Sequence, residues 1–231
     1  MRVTTLLAAS TWMTAGALHA NLVCAQGTAP ATTIPAAAAA TSTTQTPSDI
    51  IQSAAQLTLN EMQSNRDPYR KDPSKVRPLV DKYLLPHFDT EYAARLVLGQ
   101  YWRTANPEQR KRFIDAFYHS LLRNYGSTLV ELTPDRLKVF PTTVDPSADH
   151  ATVRTEVKGY NADRVAMNYS MHKTPEGWKV YDVNVEGISY IKSYREDFGA
   201  QIQQLGFDSL IARLEEGEKR ADISKTTDVK R

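Results

Sequence analysis

Between residues 178 and 198, WKVYDVNVEGISYIKSYREDF, the chain changes its hydrophobic period midway. Lys179, Tyr181, Val183 and Val185 share one face of an extended segment, and Trp178, Val180, Asp182 and Asn184 share the other. Large side chains on both faces predict a strand packed on both sides. After Glu186-Gly187, Ser193 and Glu196 have capping-box spacing, and Phe198, Ile202 and Leu205 follow at i, i+4 and i+7, which predicts an amphipathic helix. The joint residues Ile188, Tyr190 and Ile191 are too apolar for a connection lying in water, so apolar cover is expected over them.

Upstream the period is helical. Ser48 is placed to cap a helix with Ile51, Ala55, Thr58 and Met62 on one face, ending near Asn65. A second helix is expected over residues 74–85, with Val76, Val80, Tyr83 and Leu84, Pro78 in its first turn and Pro86 as its stop. Asp89 caps a third through Tyr92, Leu96 and Val97 to about Trp102. Asn106, Pro107 and Gln109 form a strong helix start, followed by the stripe Phe113, Phe117, Leu121 and Tyr125 with Ile114, Tyr118 and Leu122 beside it. A separate turn or two through Leu129, Val130 and Leu132 is expected to end at Pro134.

The period then becomes two. Leu137 and Val139 begin one strand, Ala151, Val153, Thr155 and Val157 alternate in a second, and Val165, Met167, Tyr169 and Met171 in a third. The turn Thr174-Pro175-Glu176-Gly177 joins the third to the fourth as a hairpin. Gly206 ends the following helix and Asp208 caps a last one through Leu210, Ile211 and Leu214. Helices, then strands, then helices predict an α+β fold: an antiparallel sheet of about four strands with several helices packed over one face.

Composition sets the boundaries. Arg2 followed by the small, apolar run 6–20 is too short to span a bilayer and reads as a secretory leader, residues 1–25, cut after Ala25 with Val23 at the other small position. Lipidation at Cys24 is the alternative, and Val23 suits it poorly. Cys24 is the single cysteine, so the mature chain is expected to fold without a disulfide. Residues 26–47, almost all Ala, Thr, Pro, Ser, Gln and Gly, hold too little apolar surface to order themselves and read as a flexible spacer. Residues 48–217 form one domain, and residues 218–231 a loose charged tail. The net charge of +2, one less without Arg2, supplies no field for nucleic acid.

Candidate chemistry is sparse. His87, His119, His150 and His172 lie in different elements without metal-ligand spacing, and there is no GxSxG, P-loop or GxGxxG. Asp182 and Glu186 would lie about 13 Å apart on a strand, too far for a dyad, so solvation or pairing with Arg195 is the expected role, and Ser189 near Asp182 makes no triad. The 11 tyrosines either edge the core or line a pocket for an amphipathic ligand.

Two stretches resemble the MlaC, or toluene-tolerance, family of periplasmic phospholipid-binding proteins: residues 97–132, with LGxxW, PEQ and FxxxF in order, and residues 177–214, with WxVYDVxVEGxS and YRxxF. VDKYLLPHFD, residues 80–89, fits the same family, and the likeness covers most of residues 48–214. The spacer and charged tail depart from it. The resemblance implies a monomeric periplasmic carrier that encloses phospholipid acyl chains between helices and a curved sheet and maintains outer-membrane lipid asymmetry. It would exchange lipid with an outer-membrane lipoprotein–porin complex and an inner-membrane ABC transporter holding a lipid-binding ring. It needs no cofactor, metal or catalytic residue. Its candidate lipid contacts are Val97, Tyr101, Phe117, Leu121 and Tyr125 on the helices, Met167, Tyr169, Val183 and Val185 on the strands, and Ile188, Tyr190 and Ile191 at the joint. Two other classes fit less well: a small cone-shaped α+β isomerase or hydrolase, which requires a perturbed carboxylate or histidine deep in its pocket, and an interaction module with a solid core.

Overall fold

The computed structural model describes residues 45–159 and 163–228. The expected leader lies outside the described residues, as does all of the expected spacer except its last three positions. Helix α1 (Pro47–Ser64) begins within that spacer, because Thr46, not Ser48, closes a capping box with Asp49. Its buried face carries Ile50, Ile51, Ala54, Thr58, Leu59 and Met62. The helix expected over 74–85 is instead broken up. A short α2 (Arg66–Lys71) is followed by a 3₁₀ turn (Pro73–Val76), α3 (Arg77–Tyr83) and a second 3₁₀ turn (Leu85–His87). Pro73, Pro78 and Pro86 each lack a donor and stand at the first or second position of a new turn.

Asp89 caps α4 (Thr90–Leu98) through the Tyr92 amide at 2.8 Å. The helix stops at Gly99, whose φ of 53° a side chain rarely adopts, and α5 (Tyr101–Thr104) follows separately. The Asn106–Gln109 capping box opens α6 (Pro107–Glu131), which runs unbroken through Leu129 and Val130. The strands are β1 (Leu137–Val139), β2 (His150–Lys158), β3 (Arg164–Thr174), β4 (Gly177–Val185) and β5 (Ile188–Ser189). They form one antiparallel sheet in the order β1-β2-β3-β4-β5. The last helices are α7 (Tyr190–Leu205) and α8 (Phe207–Asp228), so helical backbone continues through most of the expected tail.

The face assignment on β4 needs a correction. Ser170 pairs with Asp182 but Met171 pairs with Val180, so Tyr181 is the extra residue of a β-bulge. The bulge resets the alternation. Val180 thus joins Val183 and Val185 on the inner face, while Tyr181 turns outward against Tyr92 and His172. Helix α7 also starts earlier than expected. Its cap is Ser189, whose hydroxyl accepts from the Lys192 amide, while Ser193 sits inside the helix and donates back to the Ser189 carbonyl. Asp208 does not cap α8; it lies in the first turn and accepts from Gln109 at 2.8 Å, tying α8 to the start of α6.

A domain of this size ordinarily has one contiguous core. Here the buried apolar side chains fall into three clusters. One joins α4, α6, α7 and α8 around Phe113, Phe117 and Phe198. The second packs Ile50 and Ile51 of α1 against Val153, Met171, Trp178 and Val180 of the sheet. The third joins α1 and α3 to the end of α6 through Leu59, Met62, Val80 and Val130. Space remains where they would meet.

Candidate functional site

A cavity of about 510 Å³ borders all three clusters, touching Phe117 of the first, Phe88, Tyr169 and Val183 of the second, and Val80, Leu84 and Leu129 of the third. Helix α6 forms its long wall from Ile114 to Leu129, about 22 Å at 1.5 Å per residue, and Leu132 just past its end extends it. That exceeds the length of one acyl chain, which spans about half of a hydrocarbon core roughly 30 Å thick. The sheet supplies Val157, Val165, Met167, Tyr169, Val183 and Val185, and the third wall runs from α3 through the turn at Leu85 to Thr90 and Ala93 of α4. Among the described residues the lining contains no Asp, Glu, His, Lys, Arg or Cys.

Four tyrosines line it, and their hydroxyls are managed locally. Tyr118 donates to Asp81, and burial together with that hydrogen bond pushes its phenol well above the ordinary range. Tyr169 is enclosed by protein yet keeps accessible surface, because that surface faces the cavity. Burial raises its phenol, and its hydroxyl is held beside Thr155, which donates in turn to the Met167 carbonyl at 2.9 Å. Tyr125 and Tyr190 stack with ring centroids 5.4 Å apart, and burial, then the Tyr125 hydroxyl, pushes Tyr190 up to about 12. Faces of rings, not hydroxyls, therefore meet the interior.

Eight of the twelve residues expected from the sequence border this cavity: Phe117, Leu121 and Tyr125 on α6, Met167 and Tyr169 on β3, Val183 and Val185 on β4, and Tyr190 at the start of α7. Four do not. Val97 is buried among the helices with Phe198, one turn beyond the point where Thr90 and Ala93 leave the cavity wall. Tyr101 and Ile191 pack against that same helical cluster. Ile188 is 60% exposed. Glu186 and Gly187, with φ of 52° and 86°, turn the chain back on itself, so Ile188 lies beside Val185 across a two-residue hairpin and does not prolong its strand. The apolar cover expected over the joint therefore reaches Tyr190 and Ile191 but not Ile188.

Sequence reading missed the wall formed by Val80, Leu84, Leu85 and Phe88. A signal was present: three large apolar residues flank Pro86 and His87 in a connection, the same anomaly that drew attention to Ile188 and Ile191. Asp182 was also misassigned. It accepts from Ser189 Oγ at 2.6 Å and from the Ile191 amide at 3.1 Å, fixing the passage from β5 into α7, whereas Arg195 Nε donates to the Leu96 carbonyl at 2.6 Å. Among the described residues no group of three or more His, Cys, Asp or Glu is arranged to hold a metal ion, and no helix is long and apolar enough to cross a membrane.

The fold and site define a class: an α+β container whose apolar interior, among the described residues, holds no charged side chain. The MlaC protein family matches residues 52–216, and the chain belongs to that family. It is 30% identical over 165 residues to the toluene tolerance protein Ttg2D of Pseudomonas putida, covering 71% of this chain and 76% of that one. It is 26% identical over 179 residues to the intermembrane phospholipid transport system binding protein MlaC of Haemophilus influenzae, covering 75% and 83%. A phospholipid-binding protein from Ralstonia solanacearum, solved in complex with a phospholipid, superposes with a TM-score of 0.68 at 27% identity, over 75% of this chain and 97% of that one.

Proposed function

We propose that this protein is a periplasmic phospholipid carrier that encloses acyl chains in the cavity and leaves the charged headgroup outside. The observation that carries the reading is a cavity of about 510 Å³ whose lining, among the described residues, is apolar but for threonine and tyrosine hydroxyls and holds no carboxylate, imidazole, ammonium, guanidinium or thiol. Each buried methylene is worth about 0.8 kcal/mol, so carrying two long chains through water unprotected would cost on the order of 20 kcal/mol. A container offsets that cost; a shallow patch does not. An enzyme of the cone-shaped type would place a carboxylate or imidazole against its substrate, and the lining offers neither. The eight cavity-bordering candidates are proposed as acyl contacts, from Phe117 on α6 to Val185 on β4.

On this reading the leader is removed after Ala25, and the residues up to Thr46 serve as a spacer ahead of the domain. The monomeric carrier shuttles lipid between an outer-membrane lipoprotein–porin complex and an inner-membrane ABC transporter with a lipid-binding ring, which maintains outer-membrane asymmetry. Similarity to an intermembrane phospholipid transport binding protein supports the shuttle. The test is a native mass spectrum of protein purified from its host periplasm, followed by lipid extraction. A bound phospholipid mass is expected, and a protein that is lipid-free as isolated and takes up none from vesicles would overturn the reading.

A further inference from the structure

We propose that the hydroxyls of Tyr125, Tyr190 and Tyr194 form the polar end of the site, binding an ester or phosphate oxygen where the acyl chains leave the cavity. This rests on the phospholipid-carrier reading. Among the described residues the lining has six hydroxyl side chains: Thr90, Tyr118, Tyr125, Thr128, Tyr169 and Tyr190. Tyr118 is engaged by Asp81 and Tyr169 by Thr155. Tyr125 differs in being 40% exposed, and its neighbours Asn124, Ser127 and Thr128 on α6 are exposed too, so the cavity reaches solvent at this end of the helix.

Three phenols converge there from two elements. The Tyr125 hydroxyl is the polar neighbour of the Tyr190 and the Tyr194 hydroxyls, and Asn124 stands beside Tyr194 as a donor. The rings are fixed by packing, with Tyr190 stacked on Tyr125 and Tyr194 edge-on to Phe117 at 4.9 Å. Three O–H protons serve two contacts among themselves, so at least one is left to donate outward. The group therefore has surplus donors and suits a ligand oxygen that can only accept. Ester carbonyl and phosphate oxygens are such acceptors. Burial raises Tyr190 and Tyr194 above the ordinary phenol value, so both stay protonated donors through the neutral range. With no cationic side chain in the lining among the described residues, these hydroxyls set how deep the lipid sits, and an oxygen bridging Tyr125 to Tyr190 also joins α6 to α7.

The experiment compares the parent protein with Tyr125→Phe, Tyr190→Phe and the double variant, which keep the rings and remove hydroxyls. Three probes are equilibrated from vesicles: dioleoyl phosphatidylglycerol, its dialkyl-ether analogue lacking carbonyls, and dioleoylglycerol lacking phosphate. One hydrogen bond corresponds to a loss of roughly three- to tenfold in affinity for phosphatidylglycerol in each single variant, with more in the double. The parent should discriminate against the ether analogue if the carbonyl is held, or against dioleoylglycerol if the phosphate is, and the double variant should lose that discrimination. Parent protein that binds all three probes alike, or a folded double variant with parental affinities, overturns the proposal while leaving the carrier standing. Parent protein that takes up none of the three fails the carrier reading itself.

Discussion

The two halves of α6 carry the same apolar stripe and meet opposite surroundings. Phe113 and Phe117 enter a packed aromatic cluster, stacking on each other at 5.6 Å and meeting Phe198 edge-on at 5.9 and 5.5 Å. One and two turns further on, Leu121 and Tyr125 face the cavity. Nothing in the i, i+4 spacing separates the halves. What separates them is the far side: Phe198 of α7 and Leu210 and Ile211 of α8 close on Phe113, Phe117 stands at the boundary between that cluster and the cavity, and Leu121 and Tyr125 share the cavity with Met167, Tyr169, Val183 and Val185 of the sheet. A hydrophobic period states which face a helix buries and leaves open whether that face meets atoms or space.

The largest expected effect lies in the packed half. Phe113 is fully buried, so Phe113→Ala should cost about 3–5 kcal/mol, by lost transfer energy and by the void it leaves. Met167→Ala removes a side chain that lines a space already present, and should cost about 1 kcal/mol in lipid-free protein. Denaturant midpoints at constant slope read both. Equal losses would break the distinction between the halves.

That distinction also marks what could be read from the chain. Caps at Asn106–Gln109 and Asp89–Tyr92 were legible because those contacts are local, but the same three-residue spacing misled at Ser193–Glu196, which lies inside α7, and went unread at Thr46–Asp49. The three long strands and the hairpin at Gly177 were legible from period two. The bulge at Tyr181 was not, since register belongs to a pair of strands and only one was being read. The cavity lining was legible in part for the same reason: side-chain period pointed to Met167, Tyr169, Val183 and Val185, which border the cavity, but the turn at Glu186 decided the place of Ile188. Several residues of the family-like motifs prove to be joints. Gly99 of LGxxW ends α4 beside Arg195 of YRxxF, and Glu186 accepts from the Ala166 amide at 2.6 Å.

The joint at Gly99 gives the second prediction, again in the packed half. An added Cβ would hold a φ of 53° and stand 3.6 Å from the Arg195 guanidinium. The contact is ordinary and the backbone is not, so Gly99→Ala should cost about 1–3 kcal/mol through strain alone. Ala at Gly199, where the helix is open and φ is not positive, is the control and should be neutral or slightly stabilising. Matching midpoints for the two variants would show that the break between α4 and α5 stores no conformational demand.

The third prediction uses pH. Tyr118, Tyr169 and Tyr190 around the cavity have phenols raised by burial, as does Tyr194 at the edge of the packed cluster, whereas Phe113, Phe117 and Phe198 within that cluster carry no ionisable group. Above about pH 10 the unfolded chain loses phenolic protons that the folded chain retains, so the unfolded state binds fewer protons and stability falls with rising pH. Below that value these groups are protonated in both states and contribute no slope. Melting temperature should therefore hold up to about pH 10 and decline as pH approaches the Tyr190 value of about 12. Hydrogen exchange should show α6 beyond Leu121 opening before the segment around Phe113. Uniform loss of protection would unseat the comparison.

The smallest effect is expected at Ile188, and there its contrast with Val185 is sharpest. The two are directly paired across the hairpin, but Val185 lines the cavity and Ile188 is 60% exposed. A carboxylate at Val185 would face the methylenes of the ligand, so Val185→Glu should retain its fold and lose most co-purified lipid. Ile188→Glu puts the same charge in water beside the already exposed Glu186, and should change stability by less than about 0.5 kcal/mol while keeping the parental lipid content. Thermal melts and extracted phospholipid, measured on both variants beside the parent, decide it. Lipid loss in Ile188→Glu equal to that in Val185→Glu would mean that the hairpin closes over the mouth when lipid is bound, and would return Ile188 to the site where its sequence pattern first placed it.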